Sequence, residues 1–215
     1  MKEKKSELIF IIDKSGSMSG LEKDTIGGFN SLIRNQKKEK GQAIVSLILF
    51  DDSIEYLYER VDLEKVEELS EKDYVPCGCT ALLDAIGNSI NKINNIRKEK
   101  SNKEIIDNTL VVITTDGLEN ASKEYNYKMI KNIINKKKEE KWEFLFLGAN
   151  IDSEEVASSI GIDKERSVNY NCDEEGIKLN YQCINEAVST MRTCGSVDDS
   201  WRKEIDEDIK KRKVR

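Results

Sequence analysis

Histidine is missing from the 215 residues of this chain. Without an imidazole no Ser-His-Asp or Cys-His nucleophile can be assembled, zinc has no nitrogen ligand, and the usual proton shuttle at neutral pH is lost. Any metal must be held by oxygen or sulfur. Proline is almost as scarce: Pro76 stands alone, which excludes a proline-rich linker or scaffold. Long apolar runs are absent too. Leu8-Ile9-Phe10-Ile11-Ile12 ends at Asp13, far short of a signal-peptide core or a membrane span. No Gly-x-Gly-x-x-Gly follows this run and no Gly-Lys-Ser/Thr phosphate loop occurs, which removes the common nucleotide-binding turns. Excess positive charge is likewise lacking. The 41 acidic and 35 basic residues leave a net charge of −6, no basis for seeking nucleic acid or an anionic membrane. The five cysteines form no even disulfide framework, and a chain of this length has no need of one. The expected setting is a reducing cytoplasm.

What is present alternates between apolar runs and helical patterns. Leu8 to Ile12 predicts a strand buried on both faces. A helix is expected from Leu21 to Glu39, with Ile26, Phe29, Leu32 and Ile33 on one stripe, ended by Gly41. Ala43 to Phe50 predicts a second strand, and Ser53 to Tyr58 a third, antiparallel at an edge through the Asp51-Asp52 turn. Leu63 to Tyr74 reads as an acidic loop or short helix. Ala81 to Arg97 and Lys128 to Glu140 read as helices, and Leu110 to Thr114 and Trp142 to Leu147 as strands. A short helix is expected over Glu154 to Ile160 from a Ser153 cap, then a strand at Val168 to Tyr170 and a helix from Glu174 to Met191.

Strands alternating with helices predict an α/β fold: a doubly wound, mostly parallel sheet with one antiparallel edge strand. The expected division is a single domain over residues 1–195 followed by a charged tail over 196–215. In such sheets ligands gather beyond the carboxyl ends of the strands, where strand order reverses. The loops after Ile12 and after Thr114 are therefore the ones to inspect.

The first of these reads Asp13-Lys14-Ser15-Gly16-Ser17-Met18, which aims alternate oxygens at one point, with Gly16 expected to supply a sharp bend. The second, Thr114-Thr115-Asp116-Gly117, offers another carboxylate. Between them Cys77-Gly78-Cys79-Thr80 sets a hydroxyl just before a helix. Two carboxylates and three hydroxyls are hard oxygen donors, suited to Mg²⁺, with Mn²⁺ or Ca²⁺ as alternatives, and ill matched to zinc or copper. An ion held largely by neutral hydroxyls stays electron-poor and accepts a further anionic oxygen.

Asp13-x-Ser15-x-Ser17, Thr80 and Asp116 together resemble the metal-ion-dependent adhesion site of von Willebrand factor type A (VWA) domains of the stand-alone bacterial kind. Phe10-Ile11-Ile12-Asp13, Cys79 to Ile86 and Ile113 to Gly117 are similar as well, and the likeness extends from Glu7 to the helix near Met191. The resemblance implies a Rossmann-like fold and a metal bound directly by Ser15 and Ser17. Thr80 would bind directly or through water, and Asp13 and Asp116 would act mostly through waters. It further implies a partner protein whose Asp or Glu completes the coordination shell, with an AAA+ ATPase or a stress-response assembly as the kind of partner, and no bond breaking.

Simpler readings stand beside these. Asp and Ser after a strand are ordinary turn and cap residues, though three such coincidences in order are hard to sustain. Asp84 and Glu119 read as helix-start and loop acids, and Asp51 and Asp52 as a hairpin turn, all outside the site. Cys77 and Cys79 are expected to be inert, and Cys172, Cys183 and Cys194 to form a buried seam at three-turn spacing. Lys37-Lys38 and Lys136 to Lys138 read as solvated helix ends. Lys210 to Lys213 read as a solvated end, with docking on an acidic surface as the alternative. The rival activity is a Mg²⁺-dependent phosphohydrolase or phosphotransferase with Asp13 as nucleophile, although such haloacid-dehalogenase-like enzymes want an acid where Ser15 stands. A third reading keeps the fold and binds without metal.

Overall fold

The computed structural model describes residues 4–100 and 105–213; Met1 to Glu3 and the last two residues of the expected tail lie outside it. Strand β1 (Lys5–Asp13) is apolar throughout its middle because both of its faces are covered. It lies at the centre of a six-stranded sheet, pairing in parallel with β2 (Gln42–Phe50) and with β4 (Asn108–Thr115). Outside β2 runs β3 (Ile54–Asp62), antiparallel. Outside β4 run β5 (Trp142–Gly148) and the short β6 (Ser167–Asn169), both parallel. The order β3-β2-β1-β4-β5-β6 is a doubly wound sheet with one antiparallel edge strand. Strand order reverses between β1 and β4, so the loops after these two strands flank the crevice.

Alternate residues of β1 feed two separate cores, as the period-two pleat requires. Leu8, Phe10 and Ile12 face α1 (Glu22–Gln36) and α5 (Glu174–Cys194), where Phe29 meets Phe10 edge to face at 5.5 Å between ring centroids. Ile9 and Ile11 face α2 (Leu82–Lys100), α3 (Tyr127–Glu139) and α4 (Ser153–Ser159) through Ile86, Ile90, Ile130, Ile134 and Val156.

Several local expectations are corrected. The cap of α4 is Asp152, whose carboxylate accepts from Glu155 N; Ser153 is the first helical residue and is buried. The cysteine seam does not form. Cys172 precedes α5, Cys194 ends it at the surface, and only Cys183 is buried. Lys137 is not a solvated helix end: its stem is buried and its ammonium lies 4.9 Å from the Trp142 ring centroid, paired with Glu140. Leu63 to Tyr74 is a loop with one 3₁₀ turn, as expected, and is pinned by buried Leu63, Val66, Leu69 and Tyr74. The charged tail also packs. Lys203–Lys213 forms helix α6, anchored by buried Trp201 and Ile205, and Arg212 ties it to Asp173, Glu175 and Asp208.

Candidate metal centre

Asp13 ends β1 at the sheet's central switch point, and its carboxylate is fully buried. Each oxygen has a donor. Ser15 N donates to Oδ1 over 2.7 Å, and Thr115 Oγ1, from the end of β4, donates to Oδ2 over 2.6 Å. The first contact tightens the turn that presents Ser15; the second joins the two central strands through their last side chains. Beneath them the buried Tyr74 hydroxyl donates to Asp13 O over 2.6 Å.

The hydroxyls stand in a row. Ser15 Oγ lies 3.1 Å from Ser17 Oγ, and Ser17 Oγ donates to Asp116 Oδ1 over 2.6 Å. Thr80 completes the group: a Cβ added to Gly117 would lie 3.4 Å from Thr80 Oγ1 and 3.7 Å from Ser17 Oγ, so both hydroxyls crowd the same glycine. Ser15, Thr80 and Asp116 are buried and Ser17 is exposed, which leaves the cluster open to solvent on one side. All five residues singled out in the sequence thus meet at the carboxyl ends of β1 and β4.

Three loops hold them there. Gly16 N donates to Gly78 O and Cys77 N to Lys14 O, so the first loop and the Thr80 loop brace each other. Thr80 and Asn120 exchange two bonds, Thr80 N to Asn120 Oδ1 and Asn120 N to Thr80 O. Glu119 accepts from Leu83 N, Ala121 N and both Ser122 donors, and Asp84 accepts from Lys123 N, Glu124 N and Tyr125 N. These two acids are loop ties rather than members of the oxygen cluster. Gly78 is left-handed, with φ +68° and no room for a Cβ beside Asp52 Oδ1 at 2.7 Å; Gly16, expected to make the sharp bend, is not left-handed. Asp51 lies outside the cluster but supports it, since its carbonyl accepts from Ala81 N and its carboxylate pairs with Lys14.

The electrostatics are uncompensated. Burial pushes the Asp13 carboxyl above its ordinary value, against the bonds from Thr115 and Ser15, and the charge of Asp116 adds to the rise. Burial raises Asp116 as well, against the bond from Ser17. The nearby cation does not help: the Lys14 ammonium pairs with Asp51 and Glu55. Among the described residues no group of three or more His, Cys, Asp or Glu could hold a metal. Two desolvated acids beside three hydroxyls form a donor set that fits a hard divalent cation.

Thr115, Tyr74 and Asn120 were not foreseen. Only Thr115 carried a signal, as a hydroxyl ending a strand beside Asp116. Cys172 was missed as a neighbour: its Sγ lies 3.9 Å from Asp116 Oδ2, and burial together with that carboxylate pushes the thiol up to about 11.

No protein-family model matches this chain, and no curated protein matches it in sequence. Solved structures do match in fold. A von Willebrand factor type A structure from Catenulispora acidiphila has a TM-score of 0.60 at 12% identity, covering 86% of this chain and 43% of that one. Proximal thread matrix protein 1 from the mussel byssus, solved with zinc occupying its MIDAS motif, gives 0.60 at 14% identity over 87% of this chain and 46% of that one. Manganese-loaded TRAP protein from Plasmodium vivax gives 0.56 at 20% identity over 82% and 72%. This chain therefore spans under half the length of the byssus protein.

Proposed function

Given a chain with the von Willebrand factor type A fold, we propose that it is a metal-dependent protein-binding module, in which Asp13, Ser15, Ser17, Thr80 and Asp116 hold a divalent cation. Mg²⁺ is the proposed ion. The observation that carries the reading is the meeting of three hydroxyls with two buried carboxylates that no lysine or arginine among the described residues neutralises.

When bound, the cation supplies a Lewis-acid corner for an outside carboxylate. The chain's own residues do the rest. Ser17 donates its one hydroxyl hydrogen to Asp116 and so accepts from Ser15, which leaves one lone pair of Ser17 Oγ free to ligate. Asp13 keeps one lone pair per oxygen beyond those used by Ser15 and Thr115, so it can orient waters without leaving its place. The exposed side of Ser17 is where the partner's Asp or Glu enters. No bond is broken in this scheme. The same contacts argue against Asp13 as a phosphatase nucleophile, because each of its oxygens already accepts a hydrogen bond that fixes its direction and lowers its nucleophilicity. Turnover of a phosphate ester that disappears in Asp13→Asn would reverse that judgement.

We place the protein in a reducing compartment, the cytoplasm, where its five free cysteines stay reduced. No described helix is long and apolar enough to cross a membrane. An AAA+ ATPase or a stress-response assembly is the proposed kind of partner. The test is capture from native extract with Mg²⁺, Mn²⁺ or Zn²⁺ against EDTA, using wild type and Ser17→Ala. Capture is expected to vanish in EDTA and in the variant; undiminished capture in EDTA would leave a metal-free binder instead.

A further inference from the structure

Beside the oxygen cluster lies a groove of about 840 Å³, between the loops that follow β4, β5 and β6 and helix α6. Its apolar wall is made by Leu118, Tyr127, Ile151, Val156, Tyr170 and Ile209. Leu118 and Tyr127 are large side chains left 58% and 40% exposed, a burden on a monomer that a ligand's apolar surface would relieve. The wall is built firmly. Asp152 caps α4, Asn171 Nδ2 donates to Asp208 Oδ2 over 2.8 Å, and Arg212 clamps α6 to Asp173 and Glu175.

The groove is continuous with the proposed metal site. Cys172 lines it and touches Asp116, and Leu118 follows Asp116 by two residues on one loop. Its charge is of one sign. Asp152 and Glu155 line it and no lysine or arginine does. An occupant must therefore carry an acid for the cation, an apolar side chain for the wall and a cation for the far acids.

We propose that the partner is read as an extended segment in which the metal-seeking Asp or Glu is followed closely by an apolar residue and then by Lys or Arg. The apolar residue packs on Leu118 and Ile209, and the base lies against Asp152 and Glu155. Two residues of extended chain span about 7 Å and return the side chain to the same face, which sets the spacing proposed between the acid and the apolar residue. The proposal rests on the metal-dependent reading above and adds the sequence that the site selects.

Two capped peptides test it, each with one aspartate. In one, glycines fill the remaining positions; in the other, leucine stands two positions after the aspartate and lysine four. Affinities are measured with Mn²⁺ and with EDTA for wild type, Leu118→Ser and Ile209→Ser. The leucine-lysine peptide is expected to bind wild type about tenfold more tightly in Mn²⁺. Both variants should bring the ratio close to one while leaving the glycine peptide unchanged. Equal affinities in wild type, or a preference untouched by both variants, would overturn the groove. A preference that persists in EDTA would refute the metal reading alone and keep the groove. A dimer in sedimentation that Leu118→Ser dissolves would make a second copy the occupant and overturn the proposal.

Discussion

The hydroxyl of Thr115 donates to Asp13 Oδ2 over 2.6 Å, joining the last residues of the two central parallel strands. This contact fixes the direction of a buried carboxylate that the oxygen cluster is built around. Thr115→Val keeps the shape and deletes the donor. The expected loss is about 1–3 kcal/mol in urea unfolding, with metal affinity lower by about tenfold or more. Thr115→Ser should restore both. Unchanged affinity in the valine variant would remove Thr115 from the supporting shell.

The Asp116 carboxyl titrates above its ordinary value because burial disfavours the anion. A raised pKa means that folding favours the neutral form: the group's stabilising effect is complete below its unfolded pKa and is lost as pH rises through the folded one. At neutral pH the metal-free protein therefore carries a cost. Asp116→Asn should raise the metal-free Tm by a few degrees, about 2–4 °C per kcal/mol regained, while abolishing the Tm rise that Mg²⁺ gives wild type. A lower Tm without metal would contradict the electrostatic account.

Asp51 moves the other way. Burial opposes ionisation, but the bonds from Ser53 and Cys77 and the charge of Lys14 win and lower it to about 2. Its contribution is complete above the ordinary carboxyl value and fades as pH falls toward that lowered value. Asp51→Asn is expected to be less stable than wild type by about 1–2 kcal/mol at pH 6, with the gap closing between about pH 4 and pH 2. A gap constant with pH would assign the effect to packing alone.

Trp201 and Ile205 seat the tail helix on the core cluster that includes Met191 and Val168. Trp201→Ala should cost about 3–5 kcal/mol and free α6 to exchange its amide hydrogens. Full protection of α6 in that variant would show that its ion pairs hold it without the indole.

The doubly wound class with its antiparallel edge strand was legible from short-range pattern, and the five-residue cluster from three separate motifs taken together. A continuous apolar run marks a doubly covered strand, and an Asp-x-Ser-x-Ser turn needs only its own neighbours. The mixed charges of the tail are those of a surface helix, but its packing was not legible, since only Trp201 and Ile205 signal the buried side. Cys183 and Cys194 share a spacing but not a depth, because burial depends on where α5 ends rather than on the interval. Tyr74 and Asn120 reach the site from segments with no periodicity at all, and such long-range bonds leave no local trace.

The most direct measurement is calorimetric titration of Mg²⁺, Mn²⁺ and Zn²⁺ into the metal-free wild type, Asp13→Ala and Ser17→Ala, each checked for folding by circular dichroism. The account predicts one saturable site in wild type and none in the folded variants. Equal binding by all three proteins, or none by wild type, would contradict it.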